Sequence, residues 1–300
     1  MAVAKTRKTI AVVMCTYMGQ EYLGQQLDSL MSQTLLPDRI YIYDDLSSDA
    51  TPGIIESYHQ NFPEIIRPLA DGVHRGINGA IWYSLSQTVE DLVFLCDQDD
   101  IWRPDKIRRM AEYAESRGEW DRFPCILHSE SMLYQDCRDT GTVLSQLIGQ
   151  RTTEPSVEDL LSHNLVQGCT MLINRPLIQL FCRKQPDAYF PHCMFDHWMA
   201  LIAAAFGRIW FLEESLISYR IHGKNAVGSM QVNIYEKYAL SRNRKIACEF
   251  LEIFMDLLSP EIADRIRFWI RKGYRKPSIQ YLPLLARKGA MALCLGIKNH

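Results

Sequence analysis

The chain has 300 residues, enough for one large domain or two small ones, and its 47% apolar and 23% charged content is typical of a globular protein. Its nine cysteines are odd in number and form no CxxC pair, which argues against a disulfide framework or a structural zinc site and favours reduced thiols in the cytosol. The formal net charge of −2 excludes no partner class by itself, while a missing signal-peptide pattern and a longest apolar run of only Trp198 to Phe206 argue against secretion and membrane spanning.

The first part of the chain alternates short apolar strands with helical patterns. Strands are predicted at Ile10–Cys15, Arg39–Tyr43, Ile65–Leu69 and Leu92–Cys96. Helices are predicted at Glu21–Gln33, after Ser47, after Gly76 and after Pro104. This alternation predicts an α/β fold with a mainly parallel sheet and helices on both faces, and ligands in such sheets bind beyond the carboxyl ends of the strands.

The second part of the chain is less regular. Strands are predicted at Cys125–His128 and Thr170–Asn174, a loop or short helix at Gly141–Thr153, and a helix that Gly207 ends before a short strand. From about Val232 the pattern is mostly helical, with a break at 273–278. We therefore predict a domain at 1–229, divided into halves at 1–110 and 111–229, and a helical basic extension at 230–300.

Three carboxylates crowd the end of the fourth predicted strand, at Asp97, Asp99 and Asp100. Acids this close repel one another and need a cation, and Mg²⁺ or Mn²⁺ takes oxygen ligands and completes its shell with phosphates. The pattern therefore predicts a metal–diphosphate site. The alternative is a turn whose aspartates only cap the next helix.

Two further segments end strands at the same predicted edge. Asp44 and Asp45 are placed to accept from a nucleotide base or ribose, although Ser47 to Asp49 also fit the capped start of a helix. The sequence GINGA at 76–80 is a Gly-rich turn without a Walker lysine or the GxGxxG spacing, and alone it indicates only a tight turn.

Two residues downstream carry candidate chemistry. Asp196 begins an apolar helix, where it is either a cap or a general base whose pKa apolar neighbours raise. His222 lies in a polar turn after a strand, where it is either an ordinary loop residue or a neutral imidazole that completes a metal shell.

The order of these segments resembles the inverting nucleotide-sugar glycosyltransferases of family 2, which have the GT-A fold. The matching pieces are VVMCTYMGQEYLGQQLDSLMSQT, IYDDLSSDAT, GINGA, FLCDQDDIW, VQGCTMLIN, FDHWMAL and YRIHGKN, across roughly 10–228. The versions CDQDDIWRPDKI, GCTM and YRIHG are most similar to the bacterial rhamnosyltransferase-type branch that builds cell-surface polysaccharide.

The resemblance implies a role for each matching residue. The nucleotide-binding residues would be Thr16, Tyr17, Glu21, Asp45, Asn78, Gly79 and Asp97. The ligands of Mg²⁺ or Mn²⁺ would be Asp99 and His222, with Asp97 shared between metal and ribose. Asp196 would deprotonate the acceptor hydroxyl, and the acceptor would contact Gly168, Cys169 and Trp198.

Two departures from the common family pattern shape the expected reaction. The usual Glu-Asp base motif reads Phe195-Asp196, so one acid is available, and the Gln-x-x-Arg-Trp motif of processive synthases is missing. We therefore expect one sugar, with dTDP-rhamnose favoured as donor, to be transferred to a saccharide or lipid-linked acceptor. UDP- and GDP-sugars stay open as donors.

The carboxyl end is basic. Residues 231–300 hold 13 Lys and Arg against 6 Asp and Glu, and from Arg265 onward there are nine basic residues and no acidic one. Mixed with Trp269, Tyr274 and Tyr281, this composition is typical of a peripheral membrane anchor through 265–300, or of a basic helical pair packed on the domain or at a dimer contact. We expect a cytoplasmic protein at the inner face of the membrane, without a nucleic-acid partner, and the sequence is compatible with a homo-oligomer.

Two other function classes share parts of this pattern. A metal-dependent nucleotidyltransferase would carry a Gly-rich phosphate loop with a basic residue after the first strand, where this chain has CTYMGQEYL. A non-catalytic nucleotide- or carbohydrate-binding module would not need Asp99, Asp196 and His222 together.

Overall fold

The computed structural model describes residues 7–148, 153–183, 192–222 and 235–272. Within these ranges nine strands form one mixed sheet flanked by helices. The strands are β1 (Ile10–Thr16), β2 (Arg39–Asp44), β3 (Ile66–Leu69), β4 (Leu92–Cys96), β5 (Ile101–Trp102), β6 (Cys125–Gln135), β7 (Arg138–Val143), β8 (Met171–Asn174) and β9 (Arg208–Arg220). The helices are α1 (Leu23–Met31), α2 (Thr51–Asn61), α3 (Gly76–Gln87), α4 (Lys106–Ser116), α5 (Leu144–Ile148), α6 (Val157–Ser162), α7 (Arg175–Phe181), α8 (Phe195–Phe206), α9 (Tyr235–Phe254) and α10 (Pro260–Lys272).

The first half of the sheet is parallel, as the alternating pattern predicts. The order is β3-β2-β1-β4, and every residue of β1 is buried because β1 lies between two neighbours and under helices on both faces. In register, Thr16 pairs with Asp44, and Met14 pairs with Cys96. The turns that follow β1, β2 and β4 therefore open at one edge of the sheet.

The second half of the sheet is mixed. β8 is antiparallel to both β4 and β6, β6 is parallel to β9, and β5 is antiparallel to β9. The prediction of a short strand after Gly207 is wrong in length, because β9 continues to Arg220. It keeps pairing with β6 beyond Leu212 through register shifts around Glu130, and this carries the end of β9 to the edge where β4 ends.

Two apolar cores cover the faces of the sheet. Val13 and Val93 point into one core, which is completed by α3, α6, α7, α8, α9 and α10. Val12 and Phe94 point into the other, completed by α1, α2 and α4. Successive side chains of each central strand point into opposite cores, and for this reason these strands are apolar at nearly every position.

Two residues with left-handed backbone follow the first two strands. Met18 has φ 51° after β1, and Leu46 has φ 65° after β2, although neither is glycine. Such conformations cost on the order of 1–3 kcal/mol for a side chain of this kind, and they persist where the surroundings fix them. Here the Met18 N–H donates to Ser47 Oγ at 2.8 Å, which ties the two turns together at the open edge.

The carboxyl-terminal helices α9 and α10 pack on the first core through Ile246, Phe250 and Ile266. Residues 255–259 connect these two helices. The helix break predicted at 273–278 and the domain boundary predicted at 229/230 lie outside the described residues. No helix in the described ranges has both the length and the apolar character that crossing a bilayer requires.

Candidate active site

The acid-rich turn leaves β4 at the open edge of the sheet. β5 follows it at once and pairs with β9, since Ile101 lies opposite Ser218. This pairing brings the end of β9 beside the turn, and His222 Nε2 lies 2.7 Å from Asp99 Oδ2. The structure thus brings together two predicted metal ligands that are 123 residues apart in the chain.

Arg220, which the sequence analysis did not single out, holds this turn in place. Its backbone N–H donates to Asp100 Oδ1 at 3.2 Å, and its Nε donates to the Asp99 carbonyl at 2.8 Å. Its guanidinium lies over the Tyr22 and Tyr134 rings, 4.7 and 4.9 Å from their centroids. The residue is 8% exposed, so its charge acts on the acids with little screening.

Lys106 supplies a second cation that sequence reasoning missed. It is fully buried, its Nζ donates to the Cys169 carbonyl at 2.9 Å, and it lies 3.8 Å from the centroid of the Trp102 ring. Burial lowers the pKa of Lys106 to about 8, while the charges of Asp100 and Asp97 oppose that shift. The only sequence signal was a lysine at the start of an apolar helical face.

Two acids of this turn, Asp97 and Asp100, have raised pKa values. Burial, followed by the charges of Asp100, Asp99 and Asp196, raises the pKa of Asp97. Burial and the charge of Asp99 raise the pKa of Asp100 to about 7. Crowded carboxylates in a buried site tend to stay protonated, because ionising one of them places its negative charge close to that of the next. A bound cation would favour the ionised forms instead.

The donor set of this cluster fits a hard divalent cation. Asp97, Asp100 and Cys169 bring ligand atoms within 4.8 Å of one another, and Asp100 Oδ2 is buried with no hydrogen-bond partner among the described residues. Burial raises the pKa of the Cys169 thiol, so the carboxylates are the better ligands at neutral pH. The structure therefore groups Asp100 with the predicted ligand Asp97, while the predicted ligands Asp99 and His222 contact each other.

The turn after β1 has one exposed ring and one buried hydroxyl. Tyr17 is 54% exposed, and its ring centroid lies 5.7 Å from that of His74. Thr16 is 1% exposed and donates from Oγ1 to Asp44 Oδ1 at 2.8 Å. The exposed Tyr17 ring is therefore available to stack on a planar base. Thr16 fixes the end of β2 through its hydrogen bond to Asp44.

Glu21 is exposed on the same side of the site. It hydrogen-bonds the Tyr22 hydroxyl, and this bond is the first cause of a raised Tyr22 pKa. The Tyr22 ring stacks on His222 with centroids 4.8 Å apart. Glu21 therefore lies beside the residues that support the predicted metal ligand His222.

Asp45 binds the start of α3. Its Oδ1 accepts from the Arg75 N–H at 2.6 Å, its Oδ2 accepts from the Gly76 N–H at 2.9 Å, and His74 Nδ1 lies 3.0 Å from Oδ2. The carboxylate is 5% exposed. Asp45 thus lies at the predicted nucleotide pocket, but both of its oxygens already accept from the turn that shapes the pocket.

Asn78 connects α3 to the helix that carries Asp196. Its Nδ2 donates to the Cys193 carbonyl at 3.1 Å, and its Oδ1 accepts from the Phe195 N–H at 2.9 Å. The next residue, Gly79, is buried, and a Cβ there would lie 3.0 Å from the Arg75 Cβ. Asn78 therefore holds the start of α8, a contact that the sequence did not reveal.

Asp196 lies at the first turn of α8, and its charge is one of the causes that raise the pKa of Asp97, after burial and the charges of Asp100 and Asp99. Its Oδ1 accepts from the His197 N–H at 2.7 Å, and its Oδ2 accepts from the Gly168 N–H at 3.3 Å. Burial raises the pKa of Asp196 to about 6. A carboxylate with this pKa is ionised at neutral pH and is a stronger base than an exposed aspartate.

The three predicted acceptor contacts lie at different depths. Gly168 touches the site, and a side chain there would meet the Phe195 ring at 2.8 Å, so glycine lets the turn approach α8. Cys169 is 2% exposed. Trp198 is fully buried in the first core, with its ring centroid 5.4 Å from that of Phe250.

Comparison with known proteins identifies the family of this chain. The family model described as glycosyl transferase family 2 matches residues 11–181. An uncharacterized protein of Mycobacterium tuberculosis is 27% identical over 299 residues, covering 97% of this chain and 80% of that protein. The dTDP-rhamnosyl transferase RfbG of Shigella flexneri is 25% identical over 279 residues, covering 87% and 89%.

Solved structures share the fold. S. aureus TarS 1–349 in complex with UDP-GlcNAc superposes with a TM-score of 0.62 at 18% identity, covering 96% of this chain and 81% of that one. The mannosyltransferase PcManGT from Pyrobaculum calidifontis, in complex with GDP-Man and Mn²⁺, gives a TM-score of 0.55 at 14% identity, covering 99% and 77%. These likenesses confirm the predicted GT-A fold class.

Proposed function

The chain belongs to glycosyl transferase family 2 and is a glycosyltransferase, and we propose that it transfers a single sugar from a nucleoside diphosphate donor to an acceptor hydroxyl with inversion. The observation that carries this proposal is the meeting of three distant segments at one sheet edge. They are the acid-rich turn at Asp97–Asp100, the end of β9 with His222, and the start of α8 with Asp196, which accepts from the Gly168 N–H beside the Cys169 thiol that lies near Asp97 and Asp100. The first offers acids for a cation, and the last offers a base.

The donor diphosphate lies at the acid-rich turn. Asp97, Asp99, Asp100 and His222 would hold the Mg²⁺ or Mn²⁺. Asp97 and Asp100 bring ligand atoms within 4.8 Å of each other, Asp99 Oδ2 lies 2.7 Å from His222 Nε2, and Asp100 Oδ2 lacks a hydrogen-bond partner among the described residues. When bound, the cation neutralises charge on the two phosphates and so makes the nucleoside diphosphate a better leaving group. The exposed ring of Tyr17, at the end of β1, stacks on the nucleotide base.

Asp196 is the general base. The acceptor oxygen forms a bond to the anomeric carbon while the bond from that carbon to the diphosphate oxygen breaks. The hydroxyl proton passes to Asp196, and the electron pair of the broken bond leaves with the nucleoside diphosphate. Attack from the face opposite the leaving group inverts the anomeric carbon in one displacement, and no covalent sugar–enzyme intermediate is needed.

The favoured donor is dTDP-rhamnose, and the acceptor is a saccharide or a lipid-linked saccharide of the cell surface. The support for rhamnose is the 25% identity with the dTDP-rhamnosyl transferase of Shigella flexneri along 87% of this chain. Structural neighbours bind UDP-GlcNAc and GDP-Man, so the nucleotide has to be tested directly.

A thermal-shift panel of dTDP-, UDP- and GDP-sugars with Mn²⁺ tests the donor. A ligand that binds only the folded chain at 100 times its Kd adds about 2.7 kcal/mol of stability, which raises the melting temperature by several degrees. We expect the largest rise with dTDP-rhamnose and Mn²⁺ together. A larger rise with a UDP- or GDP-sugar would reject the rhamnose assignment, and no rise with any member would reject a nucleotide-sugar site.

Peripheral membrane contact is proposed through the basic carboxyl end at the inner face of the membrane. Within the described residues, α10 presents Phe268 at 51% exposure, with Arg271 and Lys272 in its last turn, while Arg265 binds Glu158 on α6. Exposed aromatic and basic side chains on one helix suit an anionic lipid surface. The remaining predicted anchor, 273–300, lies outside the described residues.

Sedimentation with vesicles tests this contact. We expect binding to phosphatidylglycerol vesicles that weakens with salt and with Phe268→Ser, and little binding to phosphatidylcholine vesicles. The matched control is Phe62→Ser, which removes an exposed phenylalanine next to α2 and should leave binding unchanged. Equal sedimentation of the wild type and Phe268→Ser would argue against an anchor at α10.

A further inference from the structure

The buried cation Lys106 has no role in the chemistry described above. It begins α4, and its side chain runs inward to the Cys169 carbonyl, which accepts its hydrogen bond at 2.9 Å. It is fully buried and lies 3.8 Å from the Trp102 ring centroid. Burying a charged lysine is unfavourable, and the hydrogen bond to the Cys169 carbonyl and the contact with the Trp102 ring offset part of that cost.

The Cys169 carbonyl, which accepts the hydrogen bond from Lys106, belongs to the same turn that donates a hydrogen bond to Asp196. Gly168, one residue before Cys169, donates its N–H to Asp196 Oδ2 at 3.3 Å. The turn is a single 3₁₀ segment, Gly168–Thr170. A Cβ at position 168 would lie 2.8 Å from the Phe195 ring, so this position requires glycine. A shift of the Cys169 carbonyl would therefore move the Gly168 N–H away from the carboxylate.

We infer that Lys106 is a positioning residue that fixes the Gly168–Thr170 turn against the acid-rich turn, and so keeps the general base in register with the donor site. The Lys106 ammonium group anchors the segment that orients Asp196, and the Cys169 thiol of that segment lies within 4.8 Å of carboxylate oxygens of Asp97 and Asp100. The inference rests on the proposed role of Asp196, and it assigns Lys106 no contact with donor or acceptor.

Hydrogen exchange measured by mass spectrometry tests this role without any substrate. Lys106→Met removes the donor to Cys169, so the peptide that covers Gly168–Met171 is expected to exchange at least tenfold faster. Peptides from β1 should keep their wild-type rates. The control Arg108→Met removes a charge from the exposed face of the same helix, where Arg108 is 44% exposed, and should change neither peptide.

A second variant covers the case in which the unmatched acids prevent Lys106→Met from folding. Lys106→Met/Asp100→Asn removes one acid with the cation, and the new amide oxygen can still accept from the Arg220 N–H that Asp100 binds in the wild type. The same tenfold local increase is expected, and Asp100→Asn alone should leave the turn protected. Wild-type protection of Gly168–Met171 in the double variant, or an equal increase in β1, would overturn the inference.

These outcomes are independent of the proposed function. If Asp196→Asn transferred sugar normally, Asp196 would not be the base, yet the exchange result would still show whether Lys106 holds the turn. Conversely, a protected turn in the Lys106 variants would leave the role of Asp196 intact. Calorimetry with dTDP, UDP or GDP and Mn²⁺ adds a second check, since a positioning role predicts less than a threefold change in the Kd of Lys106→Met.

Discussion

Replacing Asp196 with asparagine should separate stability from activity, because the same burial that makes the carboxylate a base also destabilises the fold. Burial raises its pKa from 3.8 to about 6. Asparagine has nearly the same shape and can still accept from the His197 N–H, but it cannot take a proton from an acceptor hydroxyl. We expect the variant to be more stable and nearly inactive.

The magnitudes follow from the shift and from the hydrogen bonds. A shift of about 2 pKa units corresponds to roughly 3 kcal/mol of destabilisation above pH 6, where the folded chain carries the charge. The new amide would face the Gly168 N–H donor to donor, which costs on the order of 1–2 kcal/mol. The net gain in the free energy of unfolding should therefore be about 1–2 kcal/mol. Loss of a general base should lower kcat by about 10²–10⁴-fold.

The direction of the pH dependence follows from the raised pKa. Because the folded pKa is raised, the stability penalty is fully present above pH 6 and disappears as the pH falls towards 3.8, the ordinary pKa of an exposed aspartate. The difference in stability between Asp196→Asn and the wild type should shrink over that interval. Wild-type turnover should fall on the acid side of pH 6, by about tenfold for each further unit, because the base becomes protonated.

Urea denaturation at pH 7.5 and pH 4.5, with release of nucleoside diphosphate as the activity assay, measures both effects. Asp264→Asn is the matched control, since this carboxylate is 74% exposed and far from the acid-rich turn, and it should change neither quantity appreciably. A destabilised Asp196→Asn variant at pH 7.5 would contradict the burial argument. A variant with wild-type kcat would remove Asp196 from the mechanism.

Three further substitutions test a predicted metal ligand, a buried cation and a tightly packed glycine. Asp99→Ala should weaken Mn²⁺ binding at least tenfold in calorimetry with a nucleoside diphosphate, and unchanged affinity would exclude Asp99 as a ligand. Arg220→Gln leaves the buried acids without one cation and should destabilise by about 3 kcal/mol in urea, whereas the exposed control Arg208→Gln should cost less than about 0.5 kcal/mol. Gly207→Ala would place a Cβ 1.8 Å from a backbone carbonyl oxygen and should lower the melting temperature by more than about 5 °C, while Gly118→Ala, which has open space, should leave it unchanged.

Much of the first half of the fold could be predicted from the sequence, because local pattern and tertiary structure agree there. β1 and β4 are short, apolar and buried on both faces, and the helices between them have clear apolar spacing. The carboxylates at the strand ends then follow from parallel topology alone. For this reason the sequence alone predicts that Asp45, Asp97 and Asp99 lie at one edge of the sheet.

The second half could not be predicted in the same way, because long-range pairing decides it. β5 has only two residues, Ile101 and Trp102, and exists because it pairs with β9. The length of β9 depends on register shifts against β6, which leave no local pattern. The contacts of Asn78 could not be predicted from the sequence for the same reason, because its partners Cys193 and Phe195 are more than a hundred residues away in the chain.

Two buried cations, which come from different elements of the fold, lie among the crowded acids after β4. Arg220 comes from the end of β9 and binds the turn from its backbone side. Lys106 comes from α4 and faces the acids from within the core. Because these two fixed cations do not occupy Asp100 Oδ2, the turn keeps acceptor capacity for a divalent ion. Two buried cations thus accompany the acids in the folded chain, and under the proposed function a divalent cation would supply the remaining positive charge.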